Sequence, residues 1–204
     1  MQTLQFLPQN FVEISKHLNR GLPIILPTET SYGFSGNIFS HTAVSAIQKI
    51  KERENTKEKA FLVLVDSFES LEQISDITQI STKNREYIKK YSDIYTKHDA
   101  TTFILKKNTK KYPLLTNYFT DFTHIGIRVP QYLPLIGFLQ SHKKPIFSTS
   151  ANLAKHPPLY NSADIQKYFK NIPNLLFVDA GDLQKNSPSS IIKFNENGEI
   201  IKLR

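Results

Sequence analysis

The chain has 204 residues, 39% of them hydrophobic and 22% charged, and a formal charge of +8. This size and balance suit one folded domain with a buried core and exclude a disordered chain. The absence of cysteine excludes disulfide staples, thiol catalysis and Cys-ligated zinc; the basic excess favours anionic partners such as nucleotides or RNA, with a lysine-rich overall composition as the competing explanation.

In chain order, residues 8–21 carry Phe11, Ile14 and Leu18 at helical spacing, with Pro8 near the start and Gly21 just past the end. Leu22–Leu26 reads as a buried strand. Residues 41–53 place Val44, Ile47 and Ile50 on one helical stripe, and residues 60–65, AFLVLV, form the clearest central strand. Helices are expected near 67–74 and 83–91, and a strand at 101–105. A further strand at 124–130 is stopped by Pro130. A helix over 131–141 precedes the strand PIFS; a helix over 162–169 precedes NLLFVDAG, and the last residues read as a hairpin turning at Asn197-Gly198. The alternation predicts a single α/β domain on a twisted mixed sheet with flanking helices. No apolar run approaches the roughly 20 residues of a membrane helix, and MQTLQFLPQNF lacks the basic start of a signal peptide. A cytoplasmic protein with no membrane partner is therefore expected.

Two strands end in short hydroxyl side chains. Pro23–Leu26 runs into Thr28, Glu29, Thr30 and Ser31; Pro145–Phe147 runs into Ser148, Thr149, Ser150 and Asn152. Ligands of open α/β sheets bind beyond the carboxyl ends of strands. Hydroxyls there can hold phosphate or carboxylate oxygens, or can simply cap helices and tighten turns. Lys51 and Arg53 close a helix just before a central strand, and Lys59 stands at that strand's mouth. They are candidate phosphate ligands, against the ordinary preference of cations for helix C-termini. Arg128 lies in the apolar IGIRVP and needs an anion if buried: a substrate carboxylate, an internal acid, or else an exposed strand face. Glu29 reads as an acid–base group or as a structural acceptor. The six histidines show no HxxxH or HExxH spacing, and no Walker loop or GxGxxG occurs. Chemistry here would rest on positioning, with no protein nucleophile.

Taken together, PTETSYGFSG, KIKER, KAFLVLV, IRVP, STSANL and SPSSII occur in the order seen in the YrdC-like domain of threonylcarbamoyl-AMP synthases, and the chain resembles the short, single-domain bacterial type. The resemblance runs from about Leu4 to Arg204 and implies one YrdC-like domain over residues 1–204 with a large concave basic cavity. It implies synthesis of L-threonylcarbamoyladenylate and pyrophosphate from L-threonine, bicarbonate and ATP, with Mg²⁺ carried by ATP rather than by a protein-only metal site. The product would pass to a tRNA-threonylcarbamoyl transfer complex, and weak tRNA or RNA binding is a further expectation. By motif position, Thr30, Arg128, Ser148 and Ser189 would hold threonine; Lys51, Arg53, Lys59, Ser150, Asn152 and Arg204 would hold ATP.

The sequence departs from the family pattern in three places. KERENTKEKAF is longer than usual and lacks two prolines, leaving Lys57 and Lys59 as alternatives for one phosphate contact. KHDATT replaces a Trp-Pro-Gly-Pro-x-Thr turn, keeping Thr102, and no glycine follows Ser-Ala-Asn-Leu. A noncatalytic RNA-binding module, or a YrdC-like paralogue with a different nucleotide substrate, is the alternative function.

Overall fold

A strand sends alternate side chains to opposite faces of its sheet, and here the two sets differ in kind. The computed structural model describes residues 1–51, 61–96, 98–112, 123–153 and 156–204. Its first half holds β1 (Gln2–Gln5), a 3-10 turn at Pro8–Asn10, α1 (Phe11–Asn19), β2 (Ile24–Pro27), β3 (Tyr32–Asn37), α2 (His41–Ile50), β4 (Leu62–Leu64) and α3 (Phe68–Ile74). Then come α4 (Thr82–Ser92), β5 (Thr101–Lys106), β6 (His124–Arg128), α5 (Leu133–His142) and β7 (Ile146–Ser150). The last elements are α6 (Ser162–Phe169), β8 (Leu176–Asp179), β9 (Ser190–Phe194) and β10 (Ile200–Lys202). The strands form one mixed sheet of ten in the order β1-β8-β2-β3-β7-β4-β6-β5-β9-β10. Among the described residues no helix is long and apolar enough to cross a membrane.

Local chemistry sets the helix starts. The hydroxyls of Ser40, Ser67 and Ser81 accept from the amides of Ala43, Ser70 and Asn84, and Asn161 accepts from Asp164, so four helices begin on a side-chain cap. The expected α/β alternation is present, with two strands added. β1 and β3 have no counterpart among the expected strands: β1 is an exposed edge without apolar alternation, and β3 carries two glycines, which lower strand propensity. The terminal hairpin turns through Asn195–Glu199, closed by bonds from Asn195 N to Glu199 O (3.0 Å) and Gly198 N to Asn195 O (3.0 Å), with Gly198 at φ +78°.

One face of the sheet is apolar across its middle. Phe147, Val63, Ile127, Phe103 and Ile192 are successive cross-strand partners on β7, β4, β6, β5 and β9, all buried. They belong to the larger core, which α2, α3, α4 and α6 cover with residues such as Val44, Ile47, Leu71, Ile88, Ile165 and Phe169. On the other face α1 and α5 pack Ile14, Leu18, Leu135, Phe138 and Leu139 over Ile24, Leu26, Leu64, Ile146, Leu176 and Val178. Phe11 meets Phe138 edge-on at 5.4 Å between ring centroids, which locks the two helices together.

At the end of α5 lies His142, buried, stacked on Phe138, with Nδ1 3.0 Å from Ser15 Oγ and, among the described residues, no hydrogen-bond partner for Nε2. Burial, aided by the nearby Lys144, pushes its pKa from 6.5 down to about 4. The unfolded chain therefore takes up the proton more readily than the folded one, so this group's contribution to stability is complete above pH 6.5 and declines toward about pH 4. The melting temperature should drop between pH 7 and pH 5, and His142→Gln should show a smaller drop. An identical drop in the variant would assign the acid sensitivity elsewhere.

Candidate active site

The row of cross-strand partners just beside the apolar one has another composition. Ile24, Ser35, Ser148, Leu62, Gly126 and Ile104 are successive partners on β2, β3, β7, β4, β6 and β5, all on the face that α1 and α5 cover only in part. Past the helix pair, four of these residues line a cavity of about 520 Å³: Ser148, Leu62, Gly126 and Ile104. Small residues keep the floor of the cavity clear. A Cβ on Gly126 would point among Thr102, Ile104 and Leu62 at 3.4–3.8 Å, and one on Gly33 would lie 2.7 Å from Ser148 Oγ. Ser35 Oγ donates to Ser148 Oγ at 3.1 Å, fixing that hydroxyl from beneath.

At the first hydroxyl-tipped strand, Thr28 Oγ1 organises the turn. It accepts from the amides of Thr30 (3.2 Å) and Ser31 (3.3 Å), donates to Ser31 O (2.8 Å) and lies 3.0 Å from Thr30 Oγ1. This ST-turn sets Thr30 on the cavity wall. At the second tip, Asn152 Oδ1 accepts from Ser150 Oγ at 2.9 Å, and Asn152 Nδ2 donates to His156 O at 2.5 Å. Both residues are held from behind by Lys51, the C-cap of α2. Its ammonium reaches Ser150 O and Asn152 Oδ1 at 2.5 Å and Asn152 O at 3.2 Å, and sits 5.6 Å from the Phe34 ring centroid. Lys51 is only 1% exposed, and at this helix end it serves as an internal strut.

The charged lining residues, among those described, are Arg128 and Arg204. Arg128 is 3% exposed, and its Nε stands 3.4 Å from Glu29 Oε1. Arg204 donates from Nε to Ser189 O (2.9 Å) and from Nη2 to Ser189 Oγ (3.2 Å), and Ser189 Oγ lies 3.0 Å from Thr102 Oγ1. Burial, and secondarily the Arg128 guanidinium nearby, push the Arg204 pKa below its ordinary value. Two guanidiniums thus face one cavity, with the Glu29 carboxylate beside Arg128.

Of the residues singled out in the sequence, Thr30, Arg128, Ser148, Ser150, Asn152, Ser189 and Arg204 all line this cavity. Lys51 stands behind the wall, against Ser150 and Asn152. Arg53, Lys57 and Lys59 lie outside the described residues. For Arg128 the structure supplies an internal acid, Glu29, and exposure to the cavity together. Sequence reasoning did not single out Phe61, Ile104, Gly126, Pro158, Tyr160 and Asn186, which also line it. For Ile104 and Gly126 a signal existed: each is two residues along its strand from Thr102 or Arg128 and so shares its face. Tyr160 and Asn186 come from loops, where no periodicity points to a site.

A mixed sheet with flanking helices and a hydroxyl- and arginine-lined cavity on its half-open face defines an α/β architecture. A family model described as telomere recombination, spanning the Sua5, YciO and YrdC proteins, matches residues 16–204, and the chain belongs to this family. It is 28% identical over 168 residues, 82% of either chain, to the threonylcarbamoyl-AMP synthase of Klebsiella pneumoniae. Its fold is similar to that of P. abyssi Sua5 complexed with L-threonine, with a TM-score of 0.79 and 20% identity. That match covers 100% of this chain but 56% of P. abyssi Sua5, so the chain spans little more than half of that protein. E. coli YciO is similar over 100% of this chain and 92% of its own, with a TM-score of 0.78 and 19% identity.

The strut role of Lys51 is directly testable. Lys51→Met keeps the aliphatic length but removes the ammonium donor from two carbonyl oxygens and from Asn152 Oδ1, which keeps only Ser150 Oγ; this should cost about 3 kcal/mol, or roughly 10 °C of melting temperature. A loss below about 1 kcal/mol, the range of surface substitutions, would contradict it.

Proposed function

We propose that the protein is an L-threonylcarbamoyladenylate synthase, acting on L-threonine, bicarbonate and ATP and releasing pyrophosphate. The observation that carries this reading is the convergence, in one cavity, of Thr30, Arg128, Ser148, Ser150, Asn152, Ser189 and Arg204 from separated parts of the chain. Membership of the family and the name of the Klebsiella relative supply the substrates.

The reaction asks for alignment more than for reactive groups. Threonine's nitrogen takes up carbon from bicarbonate to give a carbamate and water. A carbamate oxygen then attacks the α-phosphorus of ATP, the bond to the bridging oxygen breaks, and pyrophosphate leaves. In this reading Arg128 binds the amino-acid carboxylate, with Thr30, Ser148 and Ser189 fixing the rest of threonine. Ser150 and Asn152, steadied by Lys51, contact the nucleotide; Arg204, Arg53 and Lys59, or Lys57 in its place, balance phosphate charge. Hydroxyls suit this work because they orient oxygens without becoming acylated at the expense of the product.

No group of three or more His, Cys, Asp or Glu stands together among the described residues. The described cavity wall offers hydroxyls, amides and guanidiniums rather than carboxylates, so Mg²⁺ would enter on the triphosphate oxygens. Bound there, it would offset charge on the departing pyrophosphate. A cytoplasmic location, and transfer of the product to a tRNA-modifying complex, complete the proposal.

Purified protein should release pyrophosphate only when L-threonine, bicarbonate and ATP are all present; release that ignores threonine would refute the reading. Gly126 gives a second test. Gly126→Ala should remain active, since its Cβ would meet neighbours at ordinary distances of 3.4–3.8 Å. Gly126→Leu should lower turnover by about 100-fold or more by filling the floor, with the melting temperature retained.

A further inference from the structure

Glu29 is a buried carboxylate with an incomplete set of partners. Neither of its oxygens has a hydrogen-bond donor among the described residues, and Arg128 Nε also lacks an acceptor in hydrogen-bond geometry, although the two groups face each other at 3.4 Å. Buried polar groups are normally satisfied. A pair left this loose is held by charge and by its backbone supports, and those supports are firm. Glu29 O accepts from Asn186 Nδ2 at 2.8 Å, its two neighbours belong to the Thr28-organised turn, and Arg128 O accepts from Val65 N at 3.1 Å.

We propose that Glu29 is a positioning residue for Arg128, aiming the guanidinium at the carboxylate of the amino-acid substrate. This rests on the synthase reading above. A guanidinium is a flat fork with donors on more than one edge. With Nε turned to Glu29, the end bearing the two terminal nitrogens is the part left for a ligand in the cavity that Arg128 lines. Glu29 itself is not part of that lining. Its carboxylate also offsets the mutual repulsion of Arg128 and Arg204, which lie close enough for the former to depress the latter's pKa.

The test separates aiming from mere competition for Arg128. Glu29→Gln preserves shape and removes charge. If Glu29 aims Arg128, the variant should show a KM for L-threonine raised by about tenfold or more, with the KM for ATP little changed. Preference for L-threonine over L-threoninamide, which lacks the carboxylate, should fall by a similar factor. A purely structural role would move both KM values together and leave that preference intact. Tighter threonine binding in the variant would show that Glu29 competes with the substrate, and would overturn the proposal, as would unchanged constants. Should Glu29→Gln fail to fold, Glu29→Asp supplies the same comparison with the charge kept and its reach shortened. If the wild-type protein itself shows no threonine dependence, the synthase reading fails first; threonine dependence with an unmoved variant sinks only the role of Glu29.

Discussion

The uneven cover on one sheet face is the constraint from which the rest of the site follows. α1 and α5 bury Ile24, Leu26, Ile146, Leu176 and Val178 at one side, and the same face continues past them through Ser148, Gly126 and Ile104 with no helix of that pair above it. Because side chains alternate, each central strand serves the core and the cavity at once. Phe147 packs inward while Ser148 faces the cavity; Ile127 packs inward while Gly126 and Arg128 face it. The site is therefore as rigid as the core that shares its backbone, which suits a reaction driven by alignment.

That coupling explains how polar groups are held without reactive chemistry. Ser35 supports Ser148, Thr28 shapes the turn that presents Thr30, and Ser189 bridges Thr102 and Arg204. Lys51 crosses from the opposite face of the sheet, by way of the α2 terminus, to secure the Ser150–Asn152 tip. Ser35 and Lys51 act from behind the wall, whereas Thr28 braces Thr30, and Ser189 braces Thr102 and Arg204, along it.

Much of this was legible in the sequence because apolar runs and hydroxyl tips leave strong local marks. AFLVLV, TTFIL and IGIRVP announced the middle of the sheet, and Thr28–Ser31 and Ser148–Asn152 announced the wall. β3 was hidden because Gly33 and Gly36 lower strand propensity. Their reason is close packing: a Cβ would lie 2.7 Å from Ser148 Oγ at Gly33 and 2.7 Å from the Phe147 ring at Gly36. β1 was hidden because an exposed edge strand needs no apolar alternation. The burial of Lys51 was not readable from a basic residue at a helix end, where exposure is the common outcome. Arg128 had three readings, an internal acid, a ligand or an exposed strand face, and its 3% exposure removes the last. The structure shows why a local pattern could not choose: Glu29 lies 99 positions away in the sequence, and Arg128 meets both Glu29 and the cavity.

The account requires amino acid and nucleotide to share the half-open face, with the Ser148–Gly126 row between them. A crystal structure with L-threonine and α,β-methylene-ATP tests this most directly. It should show the threonine carboxylate on Arg128 and the α-phosphate beside Ser150 and Asn152. Either ligand seated elsewhere, with that row left bare, would contradict the account.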